Sequence, residues 1–138
     1  MLEPLRFFEG RTELFSMVKV MMKKPYRSQT LGRGQMLPDG SLSLVQQVQE
    51  QGKPTSHRRW LIREVSPGRF TGTMSDAVGP VQIQQIGGKF LFKFKMKGKL
   101  AVEQWIMPLP GGKSAKSKVT VKKLGVRVAT SEGTIRKL

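Results

Sequence analysis

Residues Lys89 to Lys97 read K-F-L-F-K-F-K-M-K, with Phe90, Phe92, Phe94 and Met96 on every second position. Leu91, Lys93, Lys95 and Lys97 fall between them. Successive side chains of a β-strand point to opposite faces, so this segment makes a strand with one apolar face and one mostly cationic face. A helix would spread both sets around its circumference. The segment sets the class as β and poses the functional question: what the apolar face encloses, and what the basic face meets.

The rest of the chain repeats the pattern. Turn signals recur roughly every 8 to 14 residues, the rhythm of an all-β sandwich or barrel. They delimit strands over about Arg11–Met22, Tyr26–Met36, Ser41–Glu50, His57–Val65, Arg69–Ser75, Val81–Ile86, Lys89–Lys97, Leu100–Met107, Lys118–Leu124 and Val126–Lys137. The punctuation is physical: Pro38-Asp39-Gly40 combines a preset φ with a residue free to take positive φ, and Gly87-Gly88 is a hairpin signal. Gly72 within a strand predicts a bend or bulge, and Ser131-Glu132-Gly133 is a candidate turn. The opening, Leu2–Glu9, reads as one helical turn or a plug; Pro108–Ser117 reads as a flexible loop. Consecutive hairpins of about eight to ten strands predict a single all-β domain over 1–138, an antiparallel up-and-down barrel whose closure removes exposed edges.

Composition excludes several classes. The chain has no cysteine and one histidine, His57, so thiolate chemistry and a zinc site are not expected, and no cofactor or metal is implied. No apolar run approaches the roughly 20 residues that span a bilayer. There is no signal-peptide pattern and no lipobox cysteine, so the default expectation is cytoplasmic. The formal charge is +16, from 25 Lys and Arg against 9 Asp and Glu. Such a field attracts polyanions, yet net charge speaks first to solubility and nonspecific association.

The candidate ligand-binding residues follow from strand parity and chemistry. Phe90, Phe92, Phe94 and Met96 would face the interior, as core or as the wall of a ligand cavity. Trp60 and Trp105 are the only tryptophans: one is expected to close the barrel bottom near Phe7 and Phe8, the other to line a ligand site, with packing as the simpler role for both. Arg58 or Arg63 would hold an acidic head at the mouth. His57 has no evident partner, no nucleophile elbow surrounds a serine, and Asp76 suits a turn cap.

Several motifs resemble a family in order. Leu5–Thr12 (L-R-F-F-E-G-R-T), Trp60–Arg63 (W-L-I-R), Gly68–Gly79 (G-R-F-T-G-T-M-S-D-A-V-G), Trp105-Ile106 and Lys123–Val128 (K-L-G-V-R-V) together resemble the bacterial DUF3833 family of uncharacterised proteins. The resemblance spans nearly the whole chain and implies a lipocalin- or calycin-like barrel. The chain departs at Glu103-Gln104, where the family carries two acidic residues, and at Ser117-Lys118, where it carries Asn-Arg.

The combined expectation is a non-enzymatic lipocalin-like barrel that binds a small hydrophobic molecule or lipid, in one form anionic. Peripheral contact with an anionic membrane surface is a further expected partnership, through the basic ladder Lys89, Lys93, Lys95, Lys97 and Lys99. The alternatives are a nucleic-acid-binding barrel and a structural domain with a filled core. The nucleic-acid reading is weakened by aromatics that lie on the opposite face from the lysines, where they cannot stack bases.

Overall fold

A computed structural model describes residues 4–138. Leu2 and Glu3 of the expected opening turn lie outside the described residues. A single 3₁₀ turn, Pro4–Phe8, leads into ten strands: β1 (Gly10–Val20), β2 (Tyr26–Met36), β3 (Leu42–Glu50), β4 (Ser56–Ser66), β5 (Arg69–Met74), β6 (Val81–Ile86), β7 (Lys89–Met96), β8 (Leu100–Pro108), β9 (Ser114–Lys123) and β10 (Val126–Lys137). Each strand pairs antiparallel with its sequence neighbour, and β1 also pairs with β10, closing the barrel. The fold is the up-and-down barrel that the alternating pattern predicts.

β7 shows why. Phe90, Phe92 and Phe94 are buried, Met96 is half-buried, and Lys89, Lys93 and Lys95 are exposed. Leu91 departs from parity: it points outward yet is buried, opposite Trp105 of β8 on the outer face. Inward residues of the other strands keep register with this set, as in the pairs Phe94↔Val102 and Phe90↔Ile106.

The 3₁₀ turn is a plug. Phe7 and Phe8 are buried, and the backbone at Phe8 passes so close to β2 that a Cβ on Gly34 would collide with the Phe8 carbonyl oxygen. Only glycine lets the two backbones meet there. The plug closes one end of the barrel, here the floor, above a core that includes Leu42, Ile62, Phe70, Val81, Ile83, Phe90, Ala115 and Ile135. Burying each large side chain of this set stabilises the fold by about 1.5–3 kcal/mol. A chain of edge-on aromatic contacts climbs from the plug along the axis: Phe7–Phe8 (5.2 Å), Phe8–Phe92 (6.2 Å), Phe92–Trp60 (6.2 Å) and Trp60–Phe94 (5.6 Å). Each such pair adds about 0.5–1.5 kcal/mol beyond its area.

Three local expectations are corrected. The turn after β8 covers only residues 109–113, and Ser114–Ser117, expected within a flexible loop, is the start of β9 with Ala115 and Ser117 buried. Ser131-Glu132-Gly133 is mid-strand, not a turn: Gly133 lies opposite Ser16, and a Cβ there would collide with the Phe15 carbonyl. Gly72 serves the same purpose against the Leu61 carbonyl. These glycines answer close backbone approach rather than chain reversal.

Candidate functional site

The barrel interior is filled at the floor and open at the other end, the mouth. A cavity of about 420 Å³ occupies the mouth half, lined from eight of the ten strands. The difference lies in side-chain size. Floor positions carry Phe7, Phe8, Phe70, Phe90 and Phe92, whereas the inward positions of β1, β2, β9 and β10 near the mouth carry Ser16, Val18, Ser28, Thr30, Val119, Val121, Ala129 and Ser131. Small residues on four adjacent strands leave space that no neighbour is long enough to fill.

The cavity has an apolar body and polar stations. Leu14, Val18, Phe94, Met96, Val102 and Val121 supply apolar wall, and Met96 adds a flexible, polarisable side chain. Deeper in, the Trp60 indole N–H donates to Gln46 Oε1 at 2.7 Å, and Gln104 Nε2 donates to Ser117 Oγ at 2.9 Å. These pairs satisfy groups that would be costly to bury alone. Beneath them a smaller void of about 40 Å³ reaches Phe8, Thr12 and Ile135 and shares Trp60, Gln46 and Gln104 with the main cavity. That volume has room for a water molecule among polar partners.

Two charged clusters stand at the mouth. Arg58 lines the cavity, and its Nε donates to Asp76 Oδ2 at 3.2 Å. Only the Nε of its five-donor fork is engaged by a side chain among the described residues, which leaves the terminal nitrogens for an anion. On the neighbouring strands β3 and β2, Glu50 and Tyr26 line the wall, Lys53 Nζ lies 3.0 Å from Glu50 Oε2, and the same ammonium sits 5.0 Å from the Tyr26 ring centroid. Burial, then the hydrogen bond to Glu50, pushes the Tyr26 phenol above its ordinary value; the hydrogen bond to Glu50 raises Lys53. Tyr26 is therefore a neutral wall group over the ordinary pH range.

The predicted site residues sort by depth and parity. Trp60, Phe94, Met96 and Arg58 line the cavity. Phe92 lines only the smaller void, and Phe90 belongs to the floor core. Trp60 stands mid-barrel against Phe92 and Phe94 rather than closing the bottom. Arg63 and Trp105 are corrections: each is out of phase with the inward residues of its strand (Ile62, Gln104 and Ile106), so Arg63 is exposed and Trp105 half-buried on the outer wall. Asp76 is an ion-pair partner of Arg58, not a turn cap. His57 is exposed on the outer wall. The sequence reading missed Gln46, Gln104, Tyr26, Glu50 and the small mouth residues. Their signal was a polar or small residue at an inward position, as Gln46 follows Leu42 and Leu44 in phase.

By sequence, no family model and no curated protein matches the chain. Among solved structures, the fold is similar to the S-type phycobiliprotein lyase CPES from Guillardia theta, with a TM-score of 0.76 and 9% identity over 97% of this chain and 90% of that one. It is also similar to a protein of unknown function from the DUF3598 family of Nostoc punctiforme, with a TM-score of 0.69 and 13% identity. That match covers 99% of this chain and 50% of the other. A designed fluorescence-activating β-barrel aligns over the whole of both chains with a TM-score of 0.51 and 14% identity. At these identities the likeness establishes the fold, a lipocalin-like barrel. It also overturns the expectation of a non-enzymatic protein, since a lyase is built on this architecture. The missing nucleophile motif in the sequence had no power to exclude chemistry on a molecule held in the cavity.

Proposed function

We propose that the protein binds one amphipathic small molecule or lipid in the mouth half of its barrel, with the apolar body among Leu14, Val18, Phe94, Met96, Val102 and Val121 and an anionic head at Arg58. The observation that carries this reading is the open cavity itself. Its 420 Å³ falls in the range of small-molecule sites, and its mostly apolar wall with a few placed polar groups is what such sites use. The names of two structural neighbours, a phycobiliprotein lyase and a fluorescence-activating barrel, agree with an interior that takes a small molecule. The reading covers binding with or without a chemical step on the bound molecule.

The test is direct. Delipidated protein is titrated with a fluorescent fatty acid and, in parallel, with its uncharged alcohol analogue. Saturable 1:1 uptake of both, abolished by Val121→Trp, is expected. Arg58→Ala should weaken the acid by about 10- to 100-fold, the size of a lost charged hydrogen bond of about 1.5–3 kcal/mol, and leave the alcohol nearly unchanged. No uptake of either probe, or uptake indifferent to Val121→Trp, sinks the reading.

The order of motifs from Leu5 to Val128 supports a second proposal, kinship with the DUF3833 family. A structure of a family member that is not a ten-stranded barrel with an N-terminal plug would refute it.

A further inference from the structure

The five turns at the mouth differ from the four at the floor in a way the ligand cavity alone does not require. The mouth turns, residues 21–25, 51–55, 75–80, 97–99 and 124–125, contain Lys23, Lys24, Lys53, Lys97 and Lys99 against one acid, Asp76, which is paired with Arg58; of the lysines, Lys53 is paired with Glu50 at the end of β3. The floor turns, 37–41, 67–68, 87–88 and 109–113, hold one lysine and one aspartate. Apolar tips are as unequal. Met22 is 95% exposed and Leu124 77%, with Met21 and Val78 also exposed in mouth turns, whereas no floor turn exposes a large apolar side chain.

The backbone adds an independent observation. Among the described residues three non-glycine residues have left-handed φ: Met22 (64°), Lys99 (61°) and Leu124 (52°). All three are in mouth turns. That conformation disfavours side chains by about 1–2 kcal/mol, and glycine or asparagine is the ordinary occupant. Here the chain holds two large apolar groups and a cation in strained positions, aimed into solvent around the opening. Strained residues of this kind cluster at functional surfaces, which makes the rim a candidate for one.

We propose that the mouth rim docks on an anionic bilayer surface, with Met22 and Leu124 inserting among the headgroups while the surrounding lysines meet lipid phosphates, so that the open barrel exchanges its amphipathic ligand with the lipid phase. The exchange rests on the ligand reading above; the docking does not. Charge complementarity selects this occupant: each basic residue near an anionic leaflet contributes about 1 kcal/mol, and apolar tips add insertion that a purely electrostatic partner would leave unused. The barrel lies on the membrane rather than across it. Its outer wall carries Arg33, Arg63, Lys93 and Lys118 at mid-strand, where a spanning barrel would face lipid tails. No helix among the described residues is long and apolar enough to cross a membrane.

Vesicle flotation tests the docking, with phosphatidylcholine alone and with added phosphatidylglycerol. The full chain should float with the anionic vesicles, not the neutral ones, and release as salt rises. Met22→Asn with Leu124→Asn keeps residues that tolerate the left-handed backbone, so folding is preserved, and should cut binding at least 10-fold. Lys23→Glu with Lys24→Glu should cut it further, by at least about 5-fold per lysine, the equivalent of 1 kcal/mol each. The floor control Lys89→Glu with Lys113→Glu should bind as the parent does. Failure to float at low salt overturns the proposal. So does equal loss in the floor control, or binding to duplex or single-stranded nucleic acid without binding to vesicles. Probe uptake in the absence of vesicles should be unchanged in the Asn variants, which separates failure of the docking from failure of the cavity.

Discussion

The two ends of this barrel are made by the same ten strands and solve opposite problems. At the floor, Leu42 and Ala115 are fully buried, the plug presses Phe7 and Phe8 into the axis, and the turns are tight Pro and Gly reversals. At the mouth, inward positions shrink to Ser, Thr and Val, and the turns expose Met22, Leu124 and five lysines. The floor holds the stability of the fold. The mouth gives some up: it leaves a cavity unfilled and three turns strained. Interiors are normally close-packed, so a deficit of side-chain volume confined to one end is a property of the sequence that needs a functional cause.

The comparison breaks most sharply on a matched pair of leucines. Leu42→Ala removes a side chain with no exposure and should cost about 2–5 kcal/mol in denaturant unfolding, because the packed floor cannot collapse around the hole. Leu14→Ala, at the half-buried wall of the open cavity, should cost about 1–2 kcal/mol, since no new void is enclosed. Equal losses would mean that the mouth is as tightly packed as the floor.

Next in size is the seat of the plug. Gly34→Ala forces the Phe8 carbonyl away from β2 and should cost about 1–3 kcal/mol, the range of core overpacking. A silent substitution, judged by the unfolding midpoint, would show that the plug is not held against β2.

Turn strain at the mouth should reverse the sign. Leu124→Asn exchanges a strained leucine for a residue at home at φ 52° and should leave stability unchanged or raise it by up to about 1 kcal/mol. The cost should fall on vesicle binding instead. A clear loss of stability would place Leu124 in the architecture and weaken the contrast between the two ends.

How much of this was legible follows from parity. In β7, alternation of Phe and Lys gave both faces, and in β2 and β6 the turn residues gave the strand limits as observed. The same parity, followed strictly, places Arg58 inward with Trp60 and Arg63 outward beside Ile62, and puts Trp105 outside between Gln104 and Ile106. Chemical prominence outweighed phase in the reading of those two residues. The start of β9 was hidden because Ser114-Ala115-Lys116-Ser117 looks like a polar linker. Its inward members are small because they abut Gln104 and the plugged core. The cavity was beyond reach for a different reason: alternation says which side chains face the axis, not whether their summed volume fills it.

The smallest expected effect returns to the floor, at the Pro38-Asp39-Gly40 hairpin. Asp39 Oδ1 accepts from the Ser41 backbone N–H at 2.9 Å and from its hydroxyl at 2.5 Å. These bonds favour the carboxylate and hold Asp39 below its ordinary value of 3.8. A group depressed in the folded state stabilises the fold above its unfolded value, and that contribution disappears as pH falls through the folded one. Asp39→Asn should therefore lower the thermal midpoint slightly at neutral pH and match the parent once the pH is well below 3.8. The carboxylate is solvent-exposed, so the gap should be small at any pH. A gap that persists into acid would assign the hairpin's stability to its backbone turn, and would make the floor's hold on β2 and β3 independent of charge, unlike the paired Arg58–Asp76 at the mouth.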